Sequence, residues 1–111
     1  MSKLFLLAEE IMQVINELNQ PSFSTYDVMA KLEPTLNQNL SDHYGLPGAG
    51  GGAYFSAASA VMMKLRQLER RGFIRLQGFS NDPSKVFAIP LKGRVYSFKP
   101  GNSVFAIYEA A

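Results

Sequence analysis

The sequence has no cysteine, no tryptophan and a single histidine, His43. Without cysteine the chain can form no disulfide, no thiol nucleophile and no cysteine-ligated zinc site, and this absence is typical of a reducing compartment such as the cytoplasm. A transition-metal site with one histidine would need carboxylates for its other ligands, so we expect no metal. The composition argues against thiol and zinc chemistry.

Long apolar runs are also missing. The run nearest the N-terminus covers residues 4–8 and stops at Glu9 and Glu10, so it is too short for a signal-peptide core or a membrane span. The chain has 111 residues, of which 47% are hydrophobic and 18% are charged. These values are ordinary for a soluble globular protein and predict a single domain over residues 1–111.

Patterns of catalytic residues are weak. Ser41, Asp42 and His43 are the residue types of a hydrolytic triad, but neighbours in sequence cannot align a nucleophile, a base and an orienting carboxylate. The glycines of residues 48–52 lack the Lys-Ser/Thr ending and the preceding strand of a phosphate-binding loop, which favours a flexible hinge. We therefore expect no catalytic residue and no cofactor, and we interpret the protein as a non-enzyme.

The charge is distributed unevenly along the chain, although the net charge is only +2. Residues 1–53 hold two cations and six carboxylates, a net charge of −4, whereas residues 54–111 hold nine cations and three carboxylates, a net charge of +6. A basic region of this kind is typical of a surface that meets a polyanion.

Two amphipathic helices are predicted in the acidic half. Apolar residues at intervals of three and four predict a first helix; they are Leu4, Leu7, Ala8, Ile11, Val14, Ile15 and Leu18. Phe5 and Met12 lie off this stripe, and they indicate either a wide core contact or a second apolar edge that meets a partner subunit. Ser24 and Asp27 have the spacing of a capping box and predict a second helix over residues 25–33.

The segment after the second helix is irregular. Pro34 is expected to end that helix, and residues 35–52 form a long glycine-rich loop with room for a short helix around residues 36–40. A third helix is predicted over residues 53–71 with Gly72 as its left-handed cap. Its predicted buried stripe is Ala58, Val61, Met62, Leu65 and Leu68.

The pattern of residues 73–108 predicts β-strands. Residues 73–79 and 85–90 predict a hairpin around a turn at residues 80–84. Residues 95–98 and 104–108 predict a second short hairpin or strand, although Ser103 offers the alternative of a final short helix.

Two segments resemble PadR-like and MarR-like winged helix-turn-helix regulators. The first is carried by Tyr54, Leu65, Leu68, Glu69, Arg70, Arg71, Gly72, Phe73 and Ile74, and the second by residues 85–94. The resemblance implies an α+β winged helix-turn-helix domain, made of three helices plus a β-hairpin wing, that binds double-stranded DNA and regulates transcription. Pro90 replaces the threonine usual in these families, and residues 94–108 do not look like their dimerisation helix. If the protein forms a homodimer, the first helix is therefore the expected interface, through Phe5 and Met12.

In such a fold the third helix enters the major groove. The predicted DNA-binding residues are Tyr54, Ser56, Ser59, Met63, Lys64, Arg66, Gln67, Arg70, Arg71, Arg75 and Lys85. The first two turns of the third helix contain no arginine that could read guanine. The cations are therefore expected to bind phosphates. Sequence-specific or semi-specific recognition is expected if Arg66 or Gln67 reaches the bases.

A winged helix that binds protein instead of DNA is the alternative. The surface formed by Ala57, Ala60 and Met63 is bland for a helix that reads bases, and the C-terminal half is rich in aromatic residues. Exposed apolar patches often mark sites that bind partner proteins.

Overall fold

The protein combines helices with antiparallel strands in this computed structural model, which describes residues 8–47, 57–81, 84–99 and 104–111. The helices are α1 (Ala8–Leu18), α2 (Thr25–Lys31), α3 (Pro34–Tyr44) and α4 (Ala57–Arg70). The strands are β1 (Phe23–Ser24), β2 (Ile74–Ser80), β3 (Phe87–Leu91), β4 (Arg94–Phe98) and β5 (Phe105–Ala110). The predicted α+β class is confirmed.

Helix α2 begins with the predicted capping box. The Ser24 hydroxyl accepts a hydrogen bond from the Asp27 backbone N–H at 3.2 Å, and the Asp27 carboxylate accepts one from the Ser24 backbone N–H at 2.8 Å. Two backbone donors that have no partner inside the helix are thereby satisfied. The helix ends at Lys31, two residues before the predicted end.

Helix α3 corrects the predicted loop over residues 35–52. Pro34 begins this helix instead of only ending α2, because proline fits the first turn, where its missing N–H has no helical partner. Only Asn37 and Leu40 of α3 are buried, so the segment has little of the apolar periodicity that predicts a helix. Residues 48–56, which include the poly-glycine stretch, lie outside the described residues.

Helix α4 buries most of its predicted stripe and then turns directly into β2. Ala58, Val61, Leu65 and Leu68 are buried, whereas Met62 is only partly buried. Gly72 has a φ of +83°, which confirms the predicted left-handed cap. The Phe73 N–H donates to the Leu68 carbonyl at 3.0 Å and closes the helix end.

The prediction of two consecutive hairpins is wrong. Strand β2 pairs with β5 and not with β3. Strand β1 pairs with the other side of β5, which gives a three-stranded sheet in the order β1–β5–β2. Strand β3 pairs with β4 in a separate two-stranded sheet. The β3–β4 hairpin is thus inserted between the two long strands of the other sheet. Its two-residue turn ends at Gly93, with φ +83°, and so makes β4 the nearest partner for β3.

The β3–β4 hairpin is fixed to the helices by its apolar face. Its buried residues are Phe87, Ile89, Leu91 and Phe98. The ring of Tyr26 on α2 lies 5.3 Å from that of Phe87 and 4.6 Å from that of Phe98. The amide nitrogen of buried Asn37 donates to the carbonyls of Met29 and Pro90, both at 2.9 Å, so one side chain joins α2, α3 and β3.

Candidate nucleic-acid interface

The solvent-exposed face of α4 carries two arginines and a glutamine. Arg66, Gln67 and Arg70 are exposed, and the Met63 side chain on the same face is 62% exposed. Residues three and four apart are neighbours on a helix surface, so Arg66 and Arg70 are adjacent and Met63 lies beside Gln67. This face joins two positive charges to groups that can contact base edges.

Lys64 does not belong to that face. Helix residues two apart are separated by about 160° around the axis, so Lys64 lies on the other flank from Arg66, and it is half-buried. The predicted cluster of Lys64, Arg66, Arg70 and Arg71 is therefore divided: Arg66 and Arg70 share one face of α4, and Lys64 lies on the other flank. Ser59 is half-buried and takes part in an interaction within the protein.

Two charged groups of α4 influence the pKa of Tyr108 on β5, the central strand of the sheet. Burial raises the pKa of Tyr108 on β5, the nearby carboxylate of Glu69 raises this pKa further, and the guanidinium of Arg66 lowers it. Both charged groups of α4 therefore lie within electrostatic reach of the Tyr108 phenol.

Strand β2, which follows α4 in the chain, exposes two large apolar side chains. The side chains of Leu76 and Phe79 are 41% and 69% exposed. Leu76 lies opposite Tyr108 in the ladder, and Phe79 lies opposite Ala106. The register shifts between Leu76 and Gly78, so Gln77 is the extra residue of a β-bulge, a feature that bends a strand and redirects its side chains. The sequence pattern did not identify Leu76 or Phe79 as surface residues, because both resemble core residues of a strand.

The remaining predicted cations have different surroundings. The Arg71 guanidinium lies 5.4 Å from the centre of the Phe73 ring. The Nε of Arg75 donates to the Glu109 carboxylate at 2.8 Å, so the carboxylate offsets the charge of Arg75. The two side chains are 66% and 31% exposed, which places the pair near solvent. Lys85 lies 5.6 Å from the Phe87 ring, at the start of the β3–β4 hairpin and not on the β2–β5 ribbon.

Two predicted DNA-binding residues and one predicted dimer contact fall outside the part of the chain that the structure describes. Tyr54, Ser56 and Phe5 lie outside the described residues. Met12 is partly buried and packs against the hydrophobic core, so at least part of its apolar surface is covered within the chain. The interpretation of Met12 as a core contact, which the sequence left open, accounts for this packing.

A second group of cations was missed by the sequence prediction. Lys92, Arg94 and Lys99 are exposed around β4, and residues 84–99 contain no aspartate or glutamate. The absence of carboxylates over sixteen residues was the signal that marks this hairpin as cationic.

The described part of the chain holds no group of three or more histidine and carboxylate side chains that could bind a metal ion. Within those same residues, none of the helices has the length and apolar character needed to cross a membrane. Comparison of the chain with protein-family models, curated proteins and solved structures gave no match in any of the three. The resemblance to winged-helix regulators therefore depends on the motif residues alone.

Proposed function

We propose that the protein binds double-stranded DNA through α4 and the β2–β5 ribbon and acts as a regulator of transcription. The observation that carries this proposal is the exposed face with Arg66, Gln67 and Arg70, on a helix that leads directly into an antiparallel ribbon. An α-helix fits the major groove of B-DNA, and guanidinium groups bind phosphates.

The order of elements supports a winged helix with two additions. Helices α1, α2 and α4, the short strand β1 and the β2–β5 ribbon supply the helical unit and the wing. Helix α3 lies between α2 and α4, and the β3–β4 hairpin is inserted into the wing. Both additions pack on one another through Asn37 and Pro90, which leaves the exposed face of α4 uncovered by them.

The chemistry of the face favours semi-specific recognition. Arg66 and Arg70 supply phosphate contacts, which position a protein on DNA without reading its sequence. Gln67 supplies hydrogen bonds to base edges, and Met63 supplies an apolar contact of the kind that recognises a thymine methyl. If two copies associate through α1, their α4 helices are expected about 34 Å apart, one turn of DNA.

A charge-reversal experiment tests this function. Fluorescence anisotropy of a labelled mixed-sequence duplex is measured with the unmodified protein and with the double variant Arg66→Glu/Arg70→Glu. We expect binding at least about tenfold weaker for the variant, because two phosphate contacts become repulsive.

The matched control is Lys92→Glu/Arg94→Glu, which reverses the same number of charges at the turn of the β3–β4 hairpin. Its affinity is expected to fall by no more than about threefold, through the general field alone. Equal losses for both variants, or no binding by the unmodified protein, would remove α4 from the interface.

A protein-interaction module is the second candidate, and the exposed apolar side chains favour it. Met63 on α4 and Leu76 and Phe79 on β2 are 62%, 41% and 69% exposed, and large exposed apolar side chains are available to partner proteins. In this case Phe79→Asp abolishes capture of a protein partner from nuclease-treated lysate, whereas Arg66→Gln/Arg70→Gln retains it. Absence of any captured protein after nuclease treatment, together with duplex binding that Arg66→Gln/Arg70→Gln weakens, supports DNA.

A further inference from the structure

Strand β4 has one edge that pairs with nothing in the described parts of the chain. It pairs with β3 through five consecutive residue pairs, from Leu91 with Arg94 to Phe87 with Phe98, and the register has no shift. This two-stranded sheet contains no third strand among the described residues. Within residues 8–47, 57–81, 84–99 and 104–111, the outer side of β4 is consequently a regular, open sheet edge.

Pro90 identifies the backbone groups that point to this edge. Opposite residues of an antiparallel pair alternate between those that exchange two N–H···O bonds and those that exchange none. Pro90 has no N–H, and its carbonyl accepts from Asn37 on the far side of β3, so the pair of Pro90 and Val95 is one that exchanges none. The backbone N–H and C=O of Val95, and by the same alternation those of Ser97, therefore point away from β3.

The other strand edges are closed or irregular. The far side of β3 is occupied at Pro90 by the Asn37 amide. Strand β1 has only two residues and continues directly into α2. The outer edge of β2 is interrupted by the bulge at Gln77, and bulges of this kind hinder the addition of a strand. Of the described strands, β4 is the one best suited to accept another.

The charge around β4 selects the kind of strand. Lys85, Lys92, Arg94 and Lys99 give residues 84–99 four positive charges, and no carboxylate is present there. A second copy paired through β4 would bring two such sets together, and like charges opposite one another destabilise a sheet. Lysines at a sheet edge commonly prevent self-association in this way. An acidic strand meets the opposite situation, because its carboxylates are attracted by these cations.

We propose that β4 binds an extended, acidic peptide segment of a partner protein as an added antiparallel or parallel strand. The backbone groups of Val95 and Ser97 hydrogen-bond the peptide, which is the common mode of strand addition. The exposed Val95 side chain, 62% accessible, offers an apolar contact to alternate residues of the peptide. This site uses none of Arg66, Gln67 or Arg70, so it is independent of the proposed DNA interface.

The test is the binding of a fluorescein-labelled peptide of alternating glutamate and valine, followed by anisotropy. Val95→Pro removes the outward N–H and leaves the bonds to β3 in place, so binding is expected to weaken at least about tenfold. Val95→Thr is the matched control, because it keeps the N–H and the β-branched shape, and its affinity is expected to stay within about threefold. Lys92→Glu/Arg94→Glu is expected to weaken binding at least about tenfold.

A second measurement avoids any dependence on the folding of the proline variant. The same peptide with methylated backbone nitrogens at alternate positions is titrated against the unmodified protein. Loss of binding on methylation supports strand addition. Three results would overturn the proposal. The first is no binding of the unmethylated peptide, and the second is equal binding of the methylated and unmethylated peptides, which indicates simple attraction of a polyanion. The third is a dimer of the free protein that Val95→Pro dissociates, which identifies a second copy as the occupant.

Discussion

The β2–β5 ribbon and the β3–β4 hairpin differ in what their apolar residues do. The hairpin buries Phe87, Ile89 and Phe98 against α2 and α3, whereas the ribbon leaves Leu76 and Phe79 in solvent. Apolar surface that is buried stabilises the fold, and apolar surface that stays exposed is available to a ligand. The comparison teaches that the inserted hairpin is held to the helices by its buried face, while the ribbon keeps exposed apolar side chains that are available to the ligand we propose.

The largest expected difference between the two regions is in stability. Ile89→Ala removes a fully buried side chain between the hairpin and the helices and is expected to lower the free energy of unfolding by about 2–5 kcal/mol. Phe79→Ala removes a larger side chain that is mostly exposed, and its effect is expected to be within about 0.5 kcal/mol. Urea unfolding of both variants measures the difference, and similar losses would contradict the assignment of the two regions.

The amide of Asn37 links the helices to the β3–β4 hairpin by hydrogen bonds. Asn37→Ala leaves the Met29 and Pro90 carbonyls without their amide donor, so we expect a loss of about 1–3 kcal/mol. Asn39→Ala on the same helix is the control, because Asn39 is only half-buried. Unfolding curves that coincide for the two variants would show that Asn37 does not hold the hairpin in place.

Two glycines distinguish the turn after α4 from the interior of the ribbon. Gly72 has a φ of +83°, where a side chain is strained whatever space surrounds it, so Gly72→Ala is expected to cost about 1–2 kcal/mol. Gly78 in β2 has ordinary backbone angles and nothing within 4 Å of an added Cβ. Gly78→Ala is therefore expected to be neutral or slightly stabilising. Thermal unfolding decides, and a neutral Gly72→Ala variant would refute the left-handed helix cap.

The smallest effect concerns alkaline stability. Burial raises the pKa of Tyr26, whose ring joins α2 to the hairpin. Above about pH 10 the unfolded chain loses the phenol proton more readily than the folded chain, so the free energy of unfolding falls as the pH rises. Tyr26→Phe is expected to reduce this fall without abolishing it, because the pKa of Tyr108 is also raised. Unfolding free energies at about pH 7 and about pH 11 test the sign.

Local signals were readable from the sequence. Ser24 and Asp27 predicted the start of α2, and Gly72 predicted the end of α4. Each of these features depends on residues within one or two helical turns.

Features that depend on distant partners were not readable. Alternating apolar residues predict a strand but do not choose its neighbour, so the pairing of β2 with β5 could not be predicted from the pattern. The sequence predicted only a possible short helix around residues 36–40 in place of α3, because the buried Asn37 is polar and adds nothing to an apolar pattern. The separation of Lys64 from Arg66 was available in the helical period, but the sequence prediction grouped the cations by proximity along the chain.

The salt dependence of duplex binding tests the central claim most directly. The logarithm of the association constant is measured against the logarithm of salt concentration for the unmodified protein, for Arg66→Gln/Arg70→Gln and for the control Lys92→Gln/Arg94→Gln. The account predicts a slope shallower by about 2 for the α4 variant, since each lost phosphate contact removes nearly one unit, and an almost unchanged slope for the control. An unchanged slope for Arg66→Gln/Arg70→Gln would contradict it.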